Sequence, residues 1–259
     1  MSCGAGRITI HAMHDTPLLH ALVVLTFLLA GLVKGLIGLG LPTVAIGLLS
    51  LLMAPAQAAA LLVVPSLVTN VWQLAAGPRF LGLARRLWTM MLAIGLGTWA
   101  GAGILTGSRT GVTMVALGCA LVAYAVLGLA AVRLSVPARI EPWLSPIIGA
   151  ATGLVTGATG VFVIPAVPYL QALGLDKDEL VQALGLSFTV STVALAGALA
   201  RGGALDVSMS STVLALAPAL LGMVVGQYAR SRIEPRIFRL CFFWGLLALG
   251  AHLILQGLL

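Results

Sequence analysis

Residues 31–40 read GLVKGLIGLG and residues 153–162 read GLVTGATGVF. At an offset of 122, Gly31/Gly153, Leu32/Leu154, Val33/Val155, Gly35/Gly157 and Gly38/Gly160 are identical. A proline follows each stretch, Pro42 and Pro165. Three glycines in register are hard to attribute to chance, and the same offset pairs Arg79 with Arg201, Cys119 with Cys241 and Asn70 with Thr192. The chain therefore divides into a tail, 1–17, and two repeats, 18–140 and 141–259.

Composition says what kind of unit is repeated. Of the 259 residues 60% are hydrophobic and only 8% charged, with a mean hydropathy of +1.12. Soluble domains carry about 25% charged residues, so this chain cannot coat a water-soluble globule. A soluble enzyme, a nucleic-acid binder and a disordered chain are excluded. The apolar runs are continuous, not alternating, which excludes a β-barrel. A bilayer span takes about 20 apolar residues. Five segments fit the first repeat: Leu18–Leu39, a short Pro42–Met53, Ala56–Ala76, Leu87–Leu105 and Gly111–Val132. A basic loop, Arg133–Pro142, leads to five more: Trp143–Val163, a short Pro165–Leu173, Leu180–Ala200, Met209–Tyr228 and Ile237–Gly257. The expected fold is all-α and polytopic, with no cleaved signal.

Charge placement orients the repeats. If each glycine-rich unit enters the membrane and returns to the same side, ten Lys/Arg fall on one face: Arg79, Arg85, Arg86, Arg133, Arg139, Lys177, Arg230, Arg232, Arg236 and Arg239. Three, Arg7, Arg109 and Arg201, fall on the other. If each unit crosses once, the bias disappears. The positive-inside rule thus favours inverted repeats with re-entrant or broken helices and both termini outside. The net charge of +7 reads as topology, not as a nucleic-acid signal.

Two uses compete for the glycines: close helix packing, and helix breaks whose freed backbone groups line a cavity. Internal repeats with broken helices are a transporter signature. Lys34 lies inside the first unit, and an intramembrane charge marks function by default, the alternative being snorkelling. Its repeat-mate is the neutral Thr156. All seven acids, Asp15, Glu141, Asp176, Asp178, Glu179, Asp206 and Glu234, fall in loops or at span ends, so a proton or cation pump lacks its carboxylate. One cation among broken helices points to an anion. The expected substrate-binding set is Lys34, Gly35, Gly38, Gly40, Asn70, Thr156, Gly157, Thr159, Gly160 and Thr192, with backbone N–H groups around Gly35–Gly40 and Gly157–Val161 as donors. Gln73, Thr152, Gln182, Ser187, Thr189 and Ser191 add span polarity, with back-bonding to their own helix as the plainer use.

Other residues carry less. His11, His14 and His20 lack the surroundings of a metal site; no metal and no cofactor are expected. No GxSxG or HExxH motif supports an intramembrane enzyme. Cys3, Cys119 and Cys241 form no disulfide framework, and Cys119 and Cys241 are expected to be small buried apolar residues. Trp88, Trp143 and Trp244 suit interfacial anchoring.

The glycine-rich broken helix Gly31 to Pro42, the following span with Pro65 and Asn70, the basic loop and the second copy, Gly153 to Pro165, resemble the sulfite exporter TauE/SafE family, also named the toluene sulfonate uptake permeases. The resemblance covers residues 18–259. It implies transport of sulfite, sulfonate, sulfoacetate or thiosulfate across a bacterial inner membrane; export and uptake are both ascribed to the family. Val161 and Phe162, after Gly160, depart from a richer glycine run. The expected function is a secondary transporter or facilitator of a small anion, with export favoured. The alternatives are a membrane scaffold or assembly factor, or a cation or metal permease. The expected partners are the anion and the lipid bilayer, self-association into a homo-oligomer is allowed, and nucleic acid is not expected.

Overall fold

The computed structural model describes residues 17–75, 77–107, 110–130, 134–205, 208–230, 232 and 235–259. Cys3, Arg7, His11, His14, Asp15, Arg109, Arg133, Asp206 and Glu234 lie outside the described residues.

Ten helices and no strands make up the described residues: α1 Pro17–Ile37, α2 Leu41–Leu49, α3 Pro55–Ala75, α4 Phe80–Thr106, α5 Thr110–Ala130, α6 Glu141–Thr159, α7 Ala166–Ala172, α8 Lys177–Arg201, α9 Met209–Ala229 and α10 Pro235–Leu258. Seven of them (α1, α3, α4, α5, α8, α9 and α10) are long and apolar enough to cross a membrane. The short members, α2 with nine residues and α7 with seven, reach only about 10–14 Å. Proline opens α1, α3 and α10 and stands second in α2 and α6. There its missing N–H and fixed φ cost nothing.

Large apolar side chains cover much of the surface, and a set of polar side chains is buried within a largely apolar interior. Leu92, Leu96, Trp99, Val224 and Leu255 are exposed, while Thr69, Asn70, Thr98, Ser187 and Ser191 are fully buried. Bilayer solvent explains the arrangement: lipid accepts leucine, and hydroxyls and amides must find partners inside. Cys119 and Cys241, expected to be buried, are free and exposed. A small apolar side chain facing lipid carries no penalty, so apolarity did not report burial there.

Helix boundaries also move. The fourth span starts at Phe80, not Leu87, so Arg85 and Arg86 are helical. The extra turns have a physical use. Arg86 makes a two-pronged ion pair with Glu141 at the start of α6, Nε–Oε1 2.6 Å and Nη2–Oε2 2.7 Å. Arg79 pairs with Glu179 in the first turn of α8 at 2.6 Å. These contacts gather the starts of α4, α6 and α8 at one end of the molecule, with Arg79, Arg85, Arg86, Arg139 and Lys177. Glu141→Ala is expected to cost about 1–3 kcal/mol, because a charge-assisted, half-shielded pair is lost. Arg79→Ala should cost less than about 1 kcal/mol, since its side chain is 69% exposed. Thermal unfolding of the two variants in one detergent measures the difference.

The largest helix contacts are α4 with α6, α1 with α9, α5 with α10 and α3 with α8. Exchanging the two halves carries each pair onto another pair or onto itself. Glycines set the first two. A Cβ on Gly153 would stand 2.8 Å from Thr98 N and 2.9 Å from Gly97 Cα; one on Gly35 would stand 2.7 Å from Gln227 N and 2.8 Å from Gly226 Cα. Gly31 and Gly35 meet α9, while Gly149, Gly153 and Gly157 meet α4, backbone against backbone. The partner glycines, Gly97 and Gly101 on α4 and Gly222 and Gly226 on α9, correspond at an offset of 125, three residues more than the first segments. The remaining pairs run antiparallel. Gly111 meets Gly257 and Gly118 meets Gly250 between α5 and α10; Leu74 meets Gly185 between α3 and α8, and Gly77, just past the end of α3, meets Gln182.

Candidate functional site

The polar interior is built on α3. Ser66, Thr69, Asn70 and Gln73 recur at helical spacing along one side of an otherwise apolar span, and Ser66, Thr69 and Asn70 are fully buried. α1 reaches this stripe with its last turn. Lys34, only 2% exposed, donates to Thr69 Oγ1 at 3.0 Å and to Asn70 Oδ1. Thr69 donates its own O–H to Pro65 O at 2.8 Å, a back-bond to the preceding turn of its helix. One turn further along both helices, Gln73 Nε2 donates to Gly38 O at 2.7 Å.

Asn70 also faces the second repeat. Its Nδ2 donates to Thr192 Oγ1 at 3.3 Å. The two residues stand 122 positions apart in the chain. Their depth follows from α4. Trp99 Nε1 donates to Ala194 O at 3.2 Å, and Gly202 packs on Thr106, so α4 and α8 run parallel. Thr192 is then level with Gly97, the middle of the apolar stretch Leu87–Leu105. Lys34, bonded to Asn70, thus lies level with the middle of the apolar part of α4. Among the described residues no carboxylate lies within ion-pairing distance of it; the acids that pair, Glu141 and Glu179, bind Arg86 and Arg79.

The helix break after Lys34 is real. Gly38 (φ 86°) and Gly40 (φ 104°) both adopt left-handed conformations, which side chains with a Cβ rarely tolerate. Gly38 N–H closes α1 on Lys34 O at 2.8 Å. Gly40 is the N-cap of α2, whose first-turn N–H groups, Leu41 and Thr43, have no partner within the helix. In the second repeat Gly160 (φ 75°) ends α6, but its surroundings are closed. Gly160 N–H donates to Thr156 O at 2.7 Å and Val161 N–H to Thr159 Oγ1 at 3.1 Å. Val161, Phe162 and Val163 are fully buried, and Ile46 of α2 packs onto Gly160. Thr156 and Thr159 bond back to Thr152 O and Val155 O, each at 2.7 Å. Thr152 and Thr189 also back-bond.

The expected set therefore separates. Lys34, Asn70 and Thr192 form one hydrogen-bonded chain, with Gly38 beside it and Gly40 in the break. Gly35 and Gly157 turn away and pack on α9 and α4. Thr156, Thr159 and Gly160 are internally paired. Thr69 joins the site without having been singled out by sequence; its place in the Ser66–Gln73 stripe was the available signal. Gln182 acts elsewhere: it donates to Leu74 O and Gly77 O and accepts from Arg79 N–H, tying α8 to the α3–α4 corner. No group of three or more metal-ligating side chains occurs among the described residues.

Ser66, Ser187 and Ser191 are buried, and their hydroxyls have no hydrogen-bond partner among the described residues. Chemically, the site is one buried lysine amine surrounded by neutral amides and hydroxyls. A family model described as sulfite exporter TauE/SafE matches residues 23–253. No curated protein and no solved structure matches the chain.

Proposed function

The chain belongs to the sulfite exporter TauE/SafE family, a multi-pass membrane transporter family, and from that premise we propose that it moves a small sulfur-containing or organic anion out of the cell across the inner membrane. The observation that carries this reading is Lys34: a lysine buried among neutral acceptors, with no carboxylate in reach among the described residues. An uncompensated buried charge is costly. A bound anion would neutralise it. Lys34 supplies the charge, Asn70 and Thr192 flank the site, and the Gly38–Gly40 break with the first turn of α2 offers backbone N–H groups. The second glycine unit contributes shape, its N–H groups being already paired.

The antiparallel mates α3/α8 and α5/α10 support an inverted repeat, with the exchange axis in the membrane plane at the Asn70–Thr192 contact. Rocking of one half against the other would expose that point alternately to the two sides. An inside-negative potential drives a monoanion outward by about 2.3 kcal/mol per 100 mV, so export needs no coupling carboxylate.

Thermal unfolding in the presence of sulfite, sulfate, thiosulfate, sulfoacetate, taurine and acetate tests the reading. A ligand at 100 times its Kd should stabilise by about 2.7 kcal/mol. No shift with any of them would favour a scaffold. Asn70→Asp sharpens the test, because it sets a carboxylate against Lys34. The ligand-free variant should be more stable than wild type, and its anion affinity should fall at least about tenfold, since neutralisation is then internal.

A further inference from the structure

The site holds one unsatisfied acceptor as well as one unsatisfied cation. Gln73 Nε2 is committed to Gly38 O at 2.7 Å. That bond fixes the amide orientation, since the reverse would set two oxygens face to face. Gln73 Oε1 is then buried, and no hydrogen-bond donor reaches it among the described residues. It sits one turn from Asn70 on α3, as Gly38 sits one turn from Lys34 on α1. The residues that carry the acceptor and the ammonium are thus offset by about one helical turn, roughly 5 Å along the helix axes. On the adjoining side of α8, at the levels of Gln73 and Asn70, lie Ser187 and Ser191 with their unpartnered hydroxyls.

We infer that the species bound is a monoanion carrying its own hydrogen-bond donor, the HO–SO2− form of a sulfur oxyanion, with its negative oxygens toward Lys34 and its O–H donated to Gln73 Oε1. This rests on the anion site proposed above. One lysine and, among the described residues, no second cation beside it favour a single negative charge, because a dianion would leave a net charge buried. Among monoanions, one without an O–H leaves Gln73 Oε1 unpaired, and an unpaired buried acceptor costs enough to weaken binding about ten- to a hundredfold. The transported unit is then the anion with its proton.

Methanesulfonate is the discriminating probe: the same charge and similar shape, with a methyl where the hydroxyl stands. The full-length protein is titrated with sodium sulfite and with methanesulfonate across the pH range in which hydrogensulfite loses its proton, and Kd is read from thermal stabilisation. Lys34 is the titratable group in this part of the interior among the described residues. Among the described residues, α2, α3, α8, α9 and α10 place no acid, histidine or second lysine against it. Methanesulfonate, a permanent monoanion, reports any titration of Lys34, so the ratio of the two affinities isolates the proton on the ligand. Sulfite should bind about ten- to a hundredfold tighter at the acidic end, and the preference should vanish as the dianion takes over. Gln73→Leu should equalise the two ligands at every pH; if that variant fails to fold, the wild-type ratio decides alone. Equal binding of both ligands, or a ratio flat with pH, overturns the inference and leaves the anion site standing. If neither ligand stabilises the protein, both the inference and the anion site fall.

Discussion

Lys34→Met abolishes anion-dependent stabilisation and lowers anion flux in proteoliposomes by at least about a hundredfold, while the ligand-free protein unfolds within about 5 °C of wild type. The two halves of this expectation have separate causes. Removing the ammonium leaves a bound anion buried without a counter-charge, a penalty of several kcal/mol, and each 1.4 kcal/mol is a factor of ten. For the empty protein the terms oppose. Asn70 Oδ1 loses its donor, at about 1–3 kcal/mol, but Thr69 keeps its bond to Pro65 O and a charge leaves the membrane interior, worth about 2.5–3.5 kcal/mol on insertion scales. A lysine that merely glued α1 to α3 would behave in the opposite way: its loss would lower stability and spare residual flux. A cation permease would gain from the substitution or ignore it.

Gly153→Val is the second large effect. The new Cβ would come within contact distance of Ile94 O, Thr98 N and Gly97 Cα, all backbone atoms of α4. No rotamer change relieves a clash with backbone, so α4 and α6 must separate. Overpacking costs about 1–3 kcal/mol where side chains can yield; here a loss of 3 kcal/mol or more is expected, visible as aggregation in size-exclusion profiles. Gly31→Val should do the same at α9, where Ala219 O and Met223 N stand in the way. Gly95→Ala on the same helix α4 is the control. A Cβ there meets nothing within 4 Å, and alanine is the better helix former by about 1 kcal/mol. That variant should be neutral or stabilised. If Gly153→Val and Gly95→Ala behave alike, tight backbone contact does not hold α4 to α6.

The likeness of residues 31–40 to residues 153–162 was legible because GLVKGLIGLG and GLVTGATGVF preserve three glycines in register. What those glycines touch was not legible. Their partners, Gly97, Gly101, Gly222 and Gly226, are offset by 125 instead of 122, and in a glycine-rich chain a three-residue slip leaves no signal. Periodicity misplaced the start of α4 at Leu87, because Arg85 and Arg86 interrupt the apolar run; the helix continues since Glu141 neutralises Arg86. Lys34 and Asn70 stood out as polar residues in apolar spans, and Thr192 as the mate of Asn70. Thr69 did not, because threonine in a membrane helix satisfies itself so readily that its presence carries little information. The left-handed turns at Gly38 and Gly40 follow from the sequence, whereas the closing of the second turn by Val161, Phe162 and Ile46 is a matter of tertiary packing.

The crossed pairing of α1 with α9 and of α4 with α6 also governs how the protein is made. During synthesis α1 leaves the ribosome with its glycine face, Gly31 and Gly35, uncovered, and its partner does not exist until the chain reaches Met209. At about 5–20 residues per second that interval is of order ten seconds or longer. The first half cannot mature alone. α1 has to wait in the lipid or under an insertase until the fourth helix of the second half docks, and assembly is late, since α5 waits in turn for the last helix, α10. Two half-chains, cut in the 131–140 connection and produced together, would need each other for stability, so neither half is an autonomous folding unit.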